Sequence, residues 1–122
     1  MYPKRNPYEK YLGPEDHVQI QVCNYLRAQY PQAVFYHPPN EGKRTTFQMF
    51  KIKILGIKAG FPDLVIFHAG KNLALELKAA KGKPTPEQLE WIAFFRRQGW
   101  MAEICKGFDD AKAVIDHFMK IV

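Results

Sequence analysis

The chain has 122 residues, enough for one domain with a modest core and too few to call for a second. Its 47% hydrophobic and 25% charged residues are ordinary for a globular protein and exclude a disordered chain. Eighteen Lys and Arg against twelve Asp and Glu leave a net charge of +6, which points to a polyanionic partner, and no apolar run reaches membrane-spanning length. The first residues, Met1, Tyr2, Pro3, Lys4 and Arg5, lack the apolar segment of a signal peptide, so the expected setting is intracellular and cytoplasmic.

Residues 1–13 interleave Tyr2, Tyr8 and Tyr11 with Lys4, Arg5 and Lys10 around Pro3, Pro7 and Gly13, and show little helical or strand period. They read as an extended basic and aromatic arm ahead of a single domain over residues 14–122. Such an arm can contact phosphates and stack on bases, or its tyrosines can pack it onto the body or a second subunit. A first helix begins at Pro14, with Glu15 and Asp16 at the positive end of its dipole and Val18, Val22, Tyr25, Leu26 and Gln29 at helical spacing up to Pro31. Glu15 and Gln19, four apart, share one face.

Residues 33–37 are short, apolar and bounded by prolines, as a first strand would be. Residues 38–44 must then form a loop, whose basic end, Lys43 and Arg44, can grip a phosphate or simply be solvated. Between Thr45 and Leu55 the apolar residues Phe47, Met49, Phe50, Ile54 and Leu55 suit a helix stopped by Gly56, although residues 50–54 also alternate like a strand; length and the glycine favour helix. Residues 61–67 and 72–78 are apolar runs of strand length joined by a turn containing Gly70, the pattern of an antiparallel hairpin. The basic connection holding Lys81 and Lys83 can follow a nucleic-acid backbone or stand solvated. Thr85, Pro86 and Gln88 mark a helix start with a capping box, its buried face expected at Leu89, Ile92, Phe95 and Trp91 and its end at Gly99. Residues 100–105 read as a last strand, and Asp109 or Asp110 as the start of a terminal helix carrying Ala113, Val114, Phe118 and Ile121. Cys23 and Cys105 form no C-x-x-C pair and the four histidines no H-E-x-x-H spacing, which argues against a zinc enzyme and for buried, reduced thiols.

The hairpin carries the chemistry. Asp63, Glu76 and Lys78 are charged side chains in an apolar ribbon, where they are costly unless paired, hydrated or bound to a metal. Strand alternation sends Glu76 and Lys78 out by one face and Leu75 and Leu77 by the other, and folding about Gly70 brings Asp63 beside Glu76. Two carboxylates and an ammonium suit Mg²⁺ or Mn²⁺ completed by water and a substrate phosphate. An edge strand with a surface ion pair is the plainer alternative.

Pro62 and Asp63, followed by Glu76, Leu77 and Lys78, resemble the signature of the PD-(D/E)XK nuclease superfamily. Glu41, Gly42 and Lys43 also spell E-x-K, but in a loop that cannot aim their side chains. The wider pattern comprises Glu15 with Gln19, the stretch from His37 through Gly42, Arg44, Gly56, Gly60, the hairpin and Gln88. Together it resembles the VRR-NUC family, the virus-type replication and repair nucleases, in its standalone form, over about residues 14–105. The resemblance implies an α/β fold with a restriction-endonuclease-like core, a mixed sheet flanked by helices. It further implies a Mg²⁺- or Mn²⁺-dependent DNA endonuclease whose metal is held by Glu15, Asp63, Glu76 and the main-chain carbonyl of Leu77. Lys78 and Gln88 would join Asp63 and Glu76 at the catalytic centre, with Arg44 near it; Gln19, Lys43, Lys81 and Lys83 are, with Arg44, the candidates for contact with the nucleic acid. Such relatives resemble resolvases of branched DNA such as Holliday junctions, acting in DNA repair as homodimers, and a phage origin in a host cytoplasm fits. The rivals are a non-catalytic DNA-binding module with the same fold and a hydrolase of small phosphorylated molecules; no glycine-rich phosphate loop supports the latter.

Overall fold

A computed structural model describes residues 6–38, 45–56 and 59–121, without the side chain of Ile52. After one 3₁₀ turn at Glu9–Tyr11 the elements are α1 (Pro14–Gln29), β1 (Val34–Tyr36), α2 (Thr46–Leu55), β2 (Leu64–His68), β3 (Lys71–Lys78), α3 (Pro86–Arg97), β4 (Met101–Lys106) and α4 (Gly107–Lys120). The strands form a mixed sheet in the order β1, β2, β3, β4. β1 pairs antiparallel with β2 and β2 with β3, whereas β3 and β4 run parallel, a pairing that α3 makes possible by carrying the chain back across the sheet. This is the expected α/β architecture. No helix among the described residues is long and apolar enough to cross a membrane.

Two hydrophobic layers sandwich the sheet. On one face Leu64, Ile66, Leu73, Leu75 and Leu77 pack on Val18, Val22 and Leu26 of α1 and on Ala111, Ile115 and Phe118 of α4. On the other, Val65, Ala74 and Ala102 pack on Ile92 and Phe95 of α3. Tyr25 and Tyr30 at the end of α1 both donate to the Asp116 carboxylate of α4, tying those helices together. Because β3 is central and covered on both sides, its last six residues are all buried, charged ones included.

Several details depart from the sequence expectation. The terminal helix starts at Gly107, whose φ of +81° turns the chain straight from β4 into α4 without a loop, so the buried stripe is Ala111, Ile115 and Phe118 while Ala113 faces solvent. Leu89, expected inside α3, is exposed, and Ile92 and Phe95 carry that face. Cys105 is buried but Cys23 only half so; both are free, and burial pushes the Cys105 thiol up to about 12. α2 forms as expected and has a capping box, Thr45 receiving at its hydroxyl the Gln48 amide and donating its own amide to Gln48. Yet every described side chain of α2 is exposed, Phe47, Phe50 and Ile54 among them.

Phe118 is the largest side chain locked between sheet and helices. Phe118→Ala should lower unfolding free energy in urea by about 3–5 kcal/mol, whereas Ala113→Ser should change it by less than about 0.5 kcal/mol.

Candidate active site

The register of the hairpin builds the site. Leu64 lies opposite Leu75, so the residue before it, Asp63, falls beside Glu76. Asp63 itself stands just outside β2, in a turn that Gly60 opens with a φ of +76°. That turn is pinned to α3: Phe61 stacks edge-on against Trp91 and Phe95, and the Trp91 indole donates to the Ala59 carbonyl at 2.9 Å. A Cβ on Gly60 would lie 2.8 Å from Glu87 Cβ and 3.1 Å from Gln88 N, so the space this glycine leaves is taken by the first turn of α3.

The Asp63 carboxylate accepts the Leu77 amide at 2.8 Å. Glu76 and Lys78 are only 2% and 6% exposed. Lys78 Nζ lies 3.4 Å from Glu76 Oε2 and 3.9 Å from Glu15 Oε2, the latter on a half-exposed side chain in the first turn of α1. Glu76 Oε1 is buried with no hydrogen-bond partner among the described residues. An ionised oxygen left so is expensive, and what would relieve it is a cation or a proton.

The electrostatics agree. Burial, then the neighbouring Asp63 charge, raises Glu76 to about 8. Burial raises Asp63 as well, against the lowering effect of the Leu77 amide. By itself the pair therefore retains a proton near neutral pH, the behaviour of two carboxylates forced into one desolvated space. A hard divalent cation fits this donor set: anionic oxygens, one of them unpartnered, at a depth where water is scarce. Asp63 and Glu76 would hold it, with the Leu77 carbonyl between Glu76 and Lys78, which the resemblance also implies as a ligand. Among the described residues no three Asp, Glu, His or Cys side chains gather into a ready metal cage, so Glu15, here an ion-pair partner of Lys78, is not assembled with the other two carboxylates. Mg²⁺ commonly takes one or two carboxylates with waters and phosphate.

The other expected residues divide. Gln88 is half-buried and engaged in its capping box, accepting the Thr85 amide at 2.9 Å. Gln19 lines a hollow of about 290 Å³ on α1 together with Asp16, Cys23, Asn24, Arg27 and His37. Lys81 and Lys83 are exposed beside the site. Lys43 and Arg44 lie outside the described residues. Two residues lie against the site that the sequence reading did not place there. Gly82, between Lys81 and Lys83 in the basic connection, closes on the site: a Cβ there would stand 3.0 Å from Glu15 Oε2 and 3.3 Å from Lys78 Cβ. His37 places Nδ1 2.6 Å from the main-chain oxygen of Asp63. Neither contact has a local signal in sequence, since each joins segments far apart in the chain.

The family model of the VRR-NUC domain matches residues 6–109. A solved structure described as a VRR_NUC domain protein is 30% identical, with a TM-score of 0.74 over 89% of this chain and 90% of its own. A second, described as a VRR_NUC domain, is 22% identical with a TM-score of 0.63, covering 88% of this chain and 99% of its own, and is similar in fold. No curated protein matches.

A carboxyl raised by folding binds a proton that the unfolded chain releases, so its contribution to stability falls as pH rises between about 4.5 and about 8. Without metal, melting temperature should fall over that window, and Mn²⁺ should raise it more at the alkaline end. Glu76→Gln should remove most of the fall, stabilising the metal-free protein at alkaline pH by on the order of 1–3 kcal/mol. Calorimetric scans at several pH values check this; a melting temperature that climbs with pH would contradict the assignment.

Proposed function

The chain belongs to the VRR-NUC family of nucleases, and from that premise we propose that it is a Mg²⁺- or Mn²⁺-dependent endonuclease that hydrolyses phosphodiester bonds in DNA. The observation that carries the reading is the buried, unpartnered Glu76 Oε1 beside Asp63, with the Lys78 ammonium 3.4 Å from the other Glu76 oxygen. Asp63, Glu76 and the Leu77 carbonyl would hold the metal, which supplies Lewis-acid polarisation of the phosphate and neutralises charge building on it. Lys78 donates to the attacking water and to a phosphate oxygen, and burial strengthens both interactions. Glu15 and Glu76 hold the Lys78 ammonium between them. Water adds to phosphorus as the bond to the 3′ oxygen breaks in line; the water gives up a proton to solvent and the 3′ oxygen takes one from solvent, leaving a 5′-phosphate and a 3′-hydroxyl. Exposed Lys81 and Lys83 follow the DNA backbone beside the site.

For substrate we propose branched DNA such as a four-way junction, cut by a homodimer that sets one centre on each side of the branch. Labelled junction, nicked and linear DNA incubated with and without Mg²⁺ should show paired symmetric nicks in the junction only with metal, from a protein that sediments as a dimer. Equal cutting of linear duplex would leave a nuclease without that selectivity.

Asp63→Ala and Lys78→Ala should each lower kcat by at least about 10³-fold while DNA binding in gel shifts persists; a variant that cleaves as the parent does would defeat the mechanism. Lys81→Ala and Lys83→Ala should weaken binding of every DNA sequence alike and each reduce the slope of log K against log salt by about 1, measured by fluorescence anisotropy.

A further inference from the structure

Asp63 has to be held by something other than its own strand. It stands before the first ladder pair of β2, between Pro62 and Leu64, and a metal ligand loose in a turn would lose the sub-ångström placement that such chemistry requires. Its carboxylate is held from β3 by the Leu77 amide. Its main-chain carbonyl faces a different problem. β1 pairs with β2 through Tyr36 opposite Val65, and the same register carried onward sets Pro38 opposite Asp63, where a proline has no N–H to give. The imidazole of His37 stands in, with Nδ1 2.6 Å from that oxygen. A carbonyl only accepts, so Nδ1 carries the proton and donates it.

We propose that His37 is a positioning residue: by donating from Nδ1 to the Asp63 main-chain carbonyl it sets the Asp63 carboxylate at the position a divalent cation requires. The proposal rests on the reading of Asp63 and Glu76 as the metal carboxylates. It makes His37 the outer partner of a ligand, a place where substitution commonly costs 10–100-fold in metal affinity or activity. It also gives the end of β1, where Pro38 follows His37, a purpose beyond ending the strand.

The test uses Mn²⁺ titrated by calorimetry into the 122-residue chain without DNA, with kcat, KM for DNA and melting temperature measured alongside. His37→Asn keeps an amide N–H near the place of Nδ1; His37→Gln carries its N–H farther out; His37→Ala has none. His37→Ala and His37→Gln should weaken Mn²⁺ binding about tenfold or more and lower kcat with KM for DNA little changed, and His37→Asn should restore most of both. Should His37→Ala fail to fold, the Asn and Gln variants carry the comparison. Native Mn²⁺ affinity in His37→Gln, or equal losses in Asn and Gln that follow melting temperature, would overturn the proposal. Asp63→Ala separates the two levels. If Asp63→Ala binds Mn²⁺ as the parent does, the metal reading has failed; if it loses Mn²⁺ while His37→Gln keeps it, only the role of His37 has.

Discussion

The structure turns on one unfavourable placement, an acid and a base sunk into the central strand of a sheet covered on both faces. Glu76 and Lys78 are nearly inaccessible to water, and removing two ions from water costs more than their mutual attraction returns unless every oxygen is satisfied. Here one oxygen is not. Asp63 sharpens the conflict because it brings a second carboxylate to the same spot. A core that was only a core would hold leucines here, as the opposite face of β3 does with Leu73, Leu75 and Leu77. The cost is tolerable because the hydrophobic layers around it are continuous, and a cation or a proton would relieve it.

Around that placement the fold distributes labour by rigidity. The site residues with least freedom, Glu76 and Lys78, sit on β3, where the parallel ladder to β4 fixes them opposite Ile104 and Lys106. Glu15 comes from the first turn of α1 and is half-exposed, whereas Lys78 is buried. Asp63 lies between these extremes. The turn that carries it is fastened by the aromatic rings of α3, by the Leu77 amide and by His37, so three separate elements determine where its carboxylate points. Gly60 and Gly82 are the counterparts of these fastenings, because at each a side chain would occupy the space into which a neighbour closes.

Away from the site the same chain shows what an apolar pattern does not guarantee. α2 has the residues of a buried helix and the local signals of a good one, with Thr45 and Gln48 closing its first turn, yet its described side chains all face solvent. Capping and propensity act within a few residues and suffice to specify a helix. Burial depends on whether another surface comes to meet it.

The elements in their order, the hairpin and its register, and the meeting of Asp63 with Glu76 were legible in the amino-acid sequence, because strand alternation, turn glycines and caps are interactions between near neighbours. The family was legible too, since its pattern of charged residues in apolar strands is written at fixed positions. What the tertiary structure alone decided is how deep the charges lie, which oxygen is left unpaired, that Glu15 reaches Lys78 rather than joining the carboxylates, and that His37 and Gly82 adjoin the site. Each of these depends on the distance between segments remote in the chain, and that distance is set by the packing of whole helices on a sheet, which no local sequence signal encodes.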